Sequence, residues 1–280
     1  MPLFFIFSGY FYKSKSIREI VISGNQHLVK PYLITAFCCI LLCLTAQDFA
    51  LAKVKLIGIV TCSGGNFKGW WPNIGPIWFL LALYWCKIFY AYLKQKVSKC
   101  LLWSFVISTA SFVIGKYLFF FPFGVSAGLC GLVFYAMGDY WRNRMKTPLK
   151  KFILLVGIVV WAYCVRFAHL EFVGYHCSLY PISMFAAFIG TYVTYLIASK
   201  TPSCIRPVLS WIGQHTLLIL CYHMLSYSII LNLKHYLSVC SPTMALILQN
   251  PTIVITINFI LSLALSVTHV TIQDKFVKRC

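Results

Sequence analysis

The chain has 280 residues, of which 60% are hydrophobic, 17% aromatic and only 10% charged. With a mean hydropathy of +0.82, this composition excludes an ordinary soluble domain and indicates an all-α, polytopic helical membrane protein. A formal net charge of +19 is the kind nucleic-acid binders carry, but here the basic residues sit in short connections between apolar runs. That is the positive-inside pattern, so no nucleic-acid partner is expected.

Nine apolar segments are predicted, at 1–12, 31–50, 76–93, 100–116, 123–141, 152–167, 179–198, 210–232 and 250–270. The connections after the first, third, fifth and seventh segments, with the C-terminal tail, hold 17 of the 24 lysines and arginines. The alternate connections hold only Lys53, Lys55, Lys68, Lys116 and Lys234, while Lys87 and Arg166 lie near segment ends. This alternation is expected to place the C-terminus in the cytoplasm and residue 1 outside. As a helix, residues 1–12 reach about 18 Å against a hydrocarbon core of about 30 Å. One further helix upstream is therefore expected, giving ten in a single domain with both ends inside.

Residues 14–30 read as a basic amphipathic stretch on the cytoplasmic face, and Pro31 as the opening of the next helix, where a missing N–H costs nothing. Residues 51–75 read as the longest outer loop. Gly124, Gly128 and Gly131 give segment 123–141 a small face for close approach of a neighbour. The 13 cysteines include no CxxC pair, and most fall inside apolar runs as packing residues. Cys62, Cys177 and Cys240 fall in outer connections, which leaves one disulfide among them open.

Ionisable groups inside membrane segments are costly and point to function by default. His223 is the deepest of them, about 20 Å along segment 210–232, with Tyr222 and Ser226 as polar neighbours. It reads either as a neutral histidine bonded to an adjacent helix or as a residue near substrate. Asp48, Lys87, Asp139 and Arg166 lie near segment ends and read as interfacial pairs or snorkelled charges. No histidine pair has metal-ligand spacing, so no metal is expected. Neither a GxSxG elbow nor a phosphate or dinucleotide loop is present.

Four motifs occur in order: Met1-Pro2-Leu3-Phe4-Phe5 running to Ser8-Gly9-Tyr10; Leu28-Val29-Lys30-Pro31-Tyr32; Gly75-Pro76-Ile77-Trp78-Phe79-Leu80; and Ile212-Gly213 running through Thr216-Leu217 to His223. In this order and spacing they resemble the membrane acyltransferase-3 family, in particular its fucose 4-O-acetylase-like branch. The resemblance implies a ten-helix enzyme, in a bacterial inner membrane, that acts among membrane lipid. It would move an acyl group, typically acetyl, from acetyl-CoA or another acyl-CoA to a sugar hydroxyl of a cell-surface glycan or its lipid-linked precursor.

The resemblance also implies a catalytic histidine on the helix before the first motif, which has no counterpart in this sequence. Within the chain the catalytic candidate is therefore His223, where a histidine general base would deprotonate the acceptor hydroxyl. Because acyl-CoA is polyanionic, the donor-side candidates are Ser8, Gly9, Arg18, Lys30 and the cluster Arg142, Arg144 and Lys146. Trp78 and His223 are acceptor-side candidates, Trp78 as a stacking platform for a sugar. The plainer alternatives are positive-inside charge for the basic residues, helix packing for Ser8-Gly9 and an interfacial anchor for Trp78. A glycan or lipid transporter would predict paired half-helices or an internal repeat, neither of which is evident. An inactive remnant of the acyltransferase is the third reading.

Overall fold

The computed structural model describes residues 1–62, 74–119, 121–144, 149, 151–168, 170–172, 174–178, 180–240 and 250–277. Its helices in chain order are α1 (Pro2–Tyr10), α2 (Ile17–Gly24), α3 (Lys30–Thr45), α4 (Phe49–Thr61), α5 (Trp78–Lys96) and α6 (Cys100–Tyr117). Then come α7 (Val125–Arg144), α8 (Lys151–Phe167), α9 (Tyr180–Ser199), α10 (Arg206–Gln214), α11 (Thr216–Cys240) and α12 (Pro251–Val277). Between α8 and α9, β1 (Leu170–Glu171) pairs antiparallel with β2 (His176–Cys177). Among the described residues, six stretches are long and apolar enough to cross a membrane: Ile17–Thr45, Gly75–Lys96, Cys100–Tyr117, Tyr180–Ser199, Thr216–Lys234 and Pro251–Gln273. The protein is an all-α integral membrane bundle.

The bundle is built around α7. Its glycines let two helices approach to backbone contact, as the sequence led us to expect for Gly128 and Gly131. A Cβ on Gly128 would stand 2.6 Å from the Ala82 carbonyl oxygen of α5, and one on Gly131 would stand 2.5 Å from the Phe5 ring of α1. Gly138 extends this face, since a Cβ there would meet the Ile6 carbonyl oxygen at 1.9 Å. On the remaining side, Ser108 and Ser111 of α6 donate to the carbonyls of Cys130 and Ser126 at 2.6 and 3.1 Å. Lipid tails offer no hydrophobic drive between helices, so close packing over small residues and interhelical hydrogen bonds supply the cohesion.

Two expectations for the first quarter of the chain are corrected. Residues 17–45 form one continuous helical rod, so the helix expected to open at Pro31 begins at Ile17 and the amphipathic stretch forms its first turns. Ser16 caps its start, accepting the Glu19 N–H at 3.2 Å. Asn25–Val29 then takes π-helical spacing, with the Lys30 N–H reaching the Asn25 carbonyl. That wider turn accommodates Pro31, whose ring and missing N–H would otherwise break an α-helical ladder.

The region read as the longest outer loop begins instead with α4, which folds back on α3 after a tight turn. Asp48 caps it, accepting the Leu51 N–H at 2.9 Å, and Tyr32 Oη ties the two helices by donating to the Ile59 carbonyl at 2.9 Å. Lys53 and Lys55 are thus helical, and Lys55 is buried. Lys68 lies outside the described residues.

Further along, segment 210–232 divides at His215 into α10, which buries no residue, and the long α11. The His215 ring stacks on Trp211 with centroids 4.5 Å apart. Cys62 and Cys177 are free thiols and are not joined to each other. They donate to the carbonyls of Trp78 and Ser178 instead, at 3.4 and 3.8 Å. The Cys240 side chain lies outside the described residues.

Candidate functional site

Two adjoining cavities lie where α1 and α2 meet α5 and α11. The first, of about 580 Å³, is basic. Ile20, Ser23, Gly24 and His27 present one face of α2 and the π-helical turn to it, at the i, i+3, i+4, i+7 spacing of a helical stripe. Lys87 of α5 lines it as well, and so do Lys13 and Lys15 of the α1–α2 connection, Ser8 and the buried Tyr135. None of its lining residues is acidic. It forms because Gly24 lets α2 approach α5 closely, a Cβ there lying 2.7 Å from the Tyr84 ring.

The second cavity, of about 390 Å³, is apolar, with Phe4, Phe79, Leu80, Leu220 and Phe259 among its walls. Leu28, Leu83 and Leu217 line both chambers. Its polar wall carries His223, Gln214, Thr216 and Ser262. Asn258 of α12 brings its Nδ2 to 3.2 Å from Nδ1 and 3.4 Å from Nε2 of His223. The Ser226 hydroxyl donates in turn to the Asn258 Oδ1. His223 therefore combines both readings of the sequence, being bonded to an adjacent helix and facing a cavity. Tyr222 is directed elsewhere, its hydroxyl lying 2.8 Å from Nδ1 of His269.

Of the other candidates, Ser8 alone lines one of these two cavities. Gly9 packs, since a Cβ on it would stand 1.9 Å from the Tyr135 carbonyl oxygen. Arg18 and Lys30 are exposed and line neither chamber. Arg142 closes the end of α1, donating to the carbonyls of Tyr10 and Tyr12 at 3.4 and 3.2 Å. The Arg144 side chain and Lys146 lie outside the described residues. Trp78 is 6% exposed and packs against Phe172, so it offers neither an open sugar platform nor a lipid-facing anchor.

Those assignments, made along the chain, missed Lys13, Lys15, His27 and Lys87 as a group, because only the packing of α2 on α5 brings them together. Asn258 was missed too, although an amide side chain midway along an otherwise apolar segment was a visible signal.

A family model described as an acyltransferase domain, that of the acyltransferase-3 family, matches residues 1–271. The chain belongs to the acyltransferase-3 family. No curated protein and no solved structure matches it. Among the described residues of this acyltransferase-3 protein, no three histidine, cysteine or acidic side chains gather as a metal site. Its Asp139 is paired with Lys94 across α5 and α7. It is 3% exposed and accepts from Tyr90 Oη and Lys94 Nζ at 2.6 Å each and from Asn143 Nδ2 at 2.7 Å.

Proposed function

We propose that this membrane acyltransferase is an O-acyltransferase that moves an acyl group from acyl-CoA to a sugar hydroxyl of a cell-surface glycan or its lipid-linked precursor. One observation carries the reading: a basic chamber adjoins an apolar one that has a histidine on its wall. Lys13, Lys15 and Lys87 suit the phosphates of CoA as point charges. The pantetheine arm then passes Ser8 and Tyr135 toward Leu28, Leu83 and Leu217, and the thioester enters the apolar chamber beside His223. By the lysine and arginine census, the basic chamber faces the cytoplasm, where acyl-CoA is made, and the His223 end lies nearer the outer face.

In the reaction, the acceptor hydroxyl oxygen attacks the thioester carbonyl carbon. A C–O bond forms, the C–S bond breaks, and the hydroxyl proton finally resides on the departing thiol of CoA. A histidine serves this step in one of two ways, by accepting the hydroxyl proton or by donating an N–H to the tetrahedral oxyanion. The resemblance of the four motifs to the fucose 4-O-acetylase-like branch favours acetyl as the acyl group.

The test is transfer of label from acetyl-CoA to envelope glycans by membranes carrying the protein. Transfer that disappears in the His223→Ala variant is expected. No transfer, together with unchanged glycan acylation in a deletion strain, overturns the reading.

A further inference from the structure

α10 gains little from the rest of the bundle. Among the described residues its hydrogen bonds and ring contacts reach only its own flanks. Arg206 donates to the Thr201 carbonyl at 3.0 Å, Trp211 stacks on His215, and the Thr216 hydroxyl donates to the carbonyls of Ile212 and Gly213 at 2.9 and 3.0 Å. None of its nine residues is buried. A helix this short does not persist in water, because its few backbone bonds do not offset the cost of nucleation. An apolar surface outside the bundle must therefore support it.

Its two faces say which surface. Ile205, Val208, Leu209 and Ile212 recur at i, i+3, i+4 and i+7 as one stripe, and the first three are 49%, 59% and 50% exposed. Arg206, Ser210 and Gln214 form the opposite stripe. The flanking α9 and α11 are both long and apolar enough to cross a membrane, so α10 joins consecutive crossings on one face. By the lysine and arginine census that face is cytoplasmic. From Lys200 to Gln214 the charged residues are Lys200 and Arg206, both basic.

We infer that α10 lies in the plane of the cytoplasmic headgroup layer and binds anionic phospholipid there. Its aliphatic stripe enters the boundary with the acyl chains, and Lys200 and Arg206 meet the headgroup phosphates. Gly213 and Gln214, at its C-terminal end, line the apolar chamber. Part of that chamber's wall is thus seated on lipid rather than on protein, whichever reaction the chamber serves.

Spin labels on the full chain test this, in nanodiscs of phosphatidylcholine mixed with phosphatidylglycerol. The exposed Cys204 is replaced by Ser, and Val208→Cys, Leu209→Cys or Ser210→Cys is then added singly. The Cys204→Ser chain supplies the background from the other cysteines, and because α10 buries no residue these changes leave the bundle intact. Labels at 208 and 209 should relax with oxygen, which concentrates in lipid, and be shielded from a water-soluble nickel chelate; the label at 210 should show the reverse. Equal nickel access at all three positions overturns the inference by placing α10 in water. Exclusion of both reagents at 208 and 209 overturns it by placing the stripe against protein.

Omitting phosphatidylglycerol, or combining Lys200→Gln with Arg206→Gln, should move the label at 208 toward nickel. The ratio of seated to lifted helix should fall about fivefold per basic residue. An unchanged ratio overturns anionic lipid as the partner.

Discussion

Gly9 of α1 lies against the backbone of Tyr135 in α7, so close that a Cβ on Gly9 would stand 1.9 Å from the Tyr135 carbonyl oxygen. Tyr135 also lines the basic chamber, as does Ser8. One backbone contact therefore sets both the helix packing and the position of a wall of the site.

Substituting Gly9 tests that contact. Gly9→Ala forces backbone apart, and overpacking of this kind costs about 1–3 kcal/mol; we expect the upper end, because the opposing atom is a carbonyl and cannot rotate away. Gly213→Ala is the control, since a Cβ there meets nothing within 4 Å. Thermal unfolding in detergent should show a lowered midpoint for Gly9→Ala and an unchanged or raised one for Gly213→Ala.

The network at Asp139 makes a second prediction. Its carboxylate is 3% exposed and is held by Tyr90, Lys94 and Asn143. Asp139→Ala removes the acceptor of three hydrogen bonds and leaves the Tyr90 hydroxyl buried without it, at a cost of about 3 kcal/mol. Asn143→Ala removes one exposed partner and costs about 1 kcal/mol. Equal midpoints for the two variants would show that the carboxylate does not organise the α5–α7 contact.

The basic chamber predicts salt-sensitive binding of CoA. Neutralising Lys13, Lys15 or Lys87 to Gln removes a cation facing the chamber and should raise the Kd for CoA about tenfold each. Equilibrium dialysis with labelled CoA at two salt concentrations checks it. Lys30→Gln should leave the Kd unchanged, because Lys30 lines neither cavity.

Two cysteines report on topology and acidity together. Cys177 lies before α9 and the exposed Cys204 after it, so a spanning α9 places them on opposite sides of the membrane. Burial pushes the Cys177 thiol up to about 11, so the reactive thiolate is scarce at neutral pH and increases about tenfold per pH unit up to that value. An impermeant maleimide applied from outside to intact cells should label Cys177 increasingly as pH rises from 7 to 9, and Cys204 only after lysis. Mass spectrometry of the labelled peptides reads both, and labelling of Cys204 in intact cells would reverse the orientation given by the charge census.

How much of this was legible differs from element to element. Segments 76–93, 100–116 and 179–198 correspond closely to α5, α6 and α9, because long apolar runs in lipid have little choice but to be helices. The glycine face of α7 was legible for a similar reason, small residues at helical spacing being useful only against a neighbour. α4 was not, because Lys53 and Lys55 interrupt its apolar pattern, and nothing local shows that α4 folds back on α3 and buries Lys55. The rod from Ile17 to Thr45 was hidden by Pro31, which marks a helix start as readily as a π-helical turn. At the site, His223 stood out as a histidine in an apolar run, whereas its partner Asn258 is 35 residues away and pairs with it only when α11 packs on α12.

By itself the sequence determined that this protein is a helical membrane bundle, which of its connections are basic, and which family's motifs it carries. These follow from solvent and composition, since the bilayer requires backbone hydrogen bonds to close within each segment and excludes unpaired charge. Tertiary structure alone decided which basic residues share a chamber, which glycine packs rather than binds, and what holds His223. Those are contacts between residues distant in the chain, and a helix's own period says which face is apolar but not which helix will meet it.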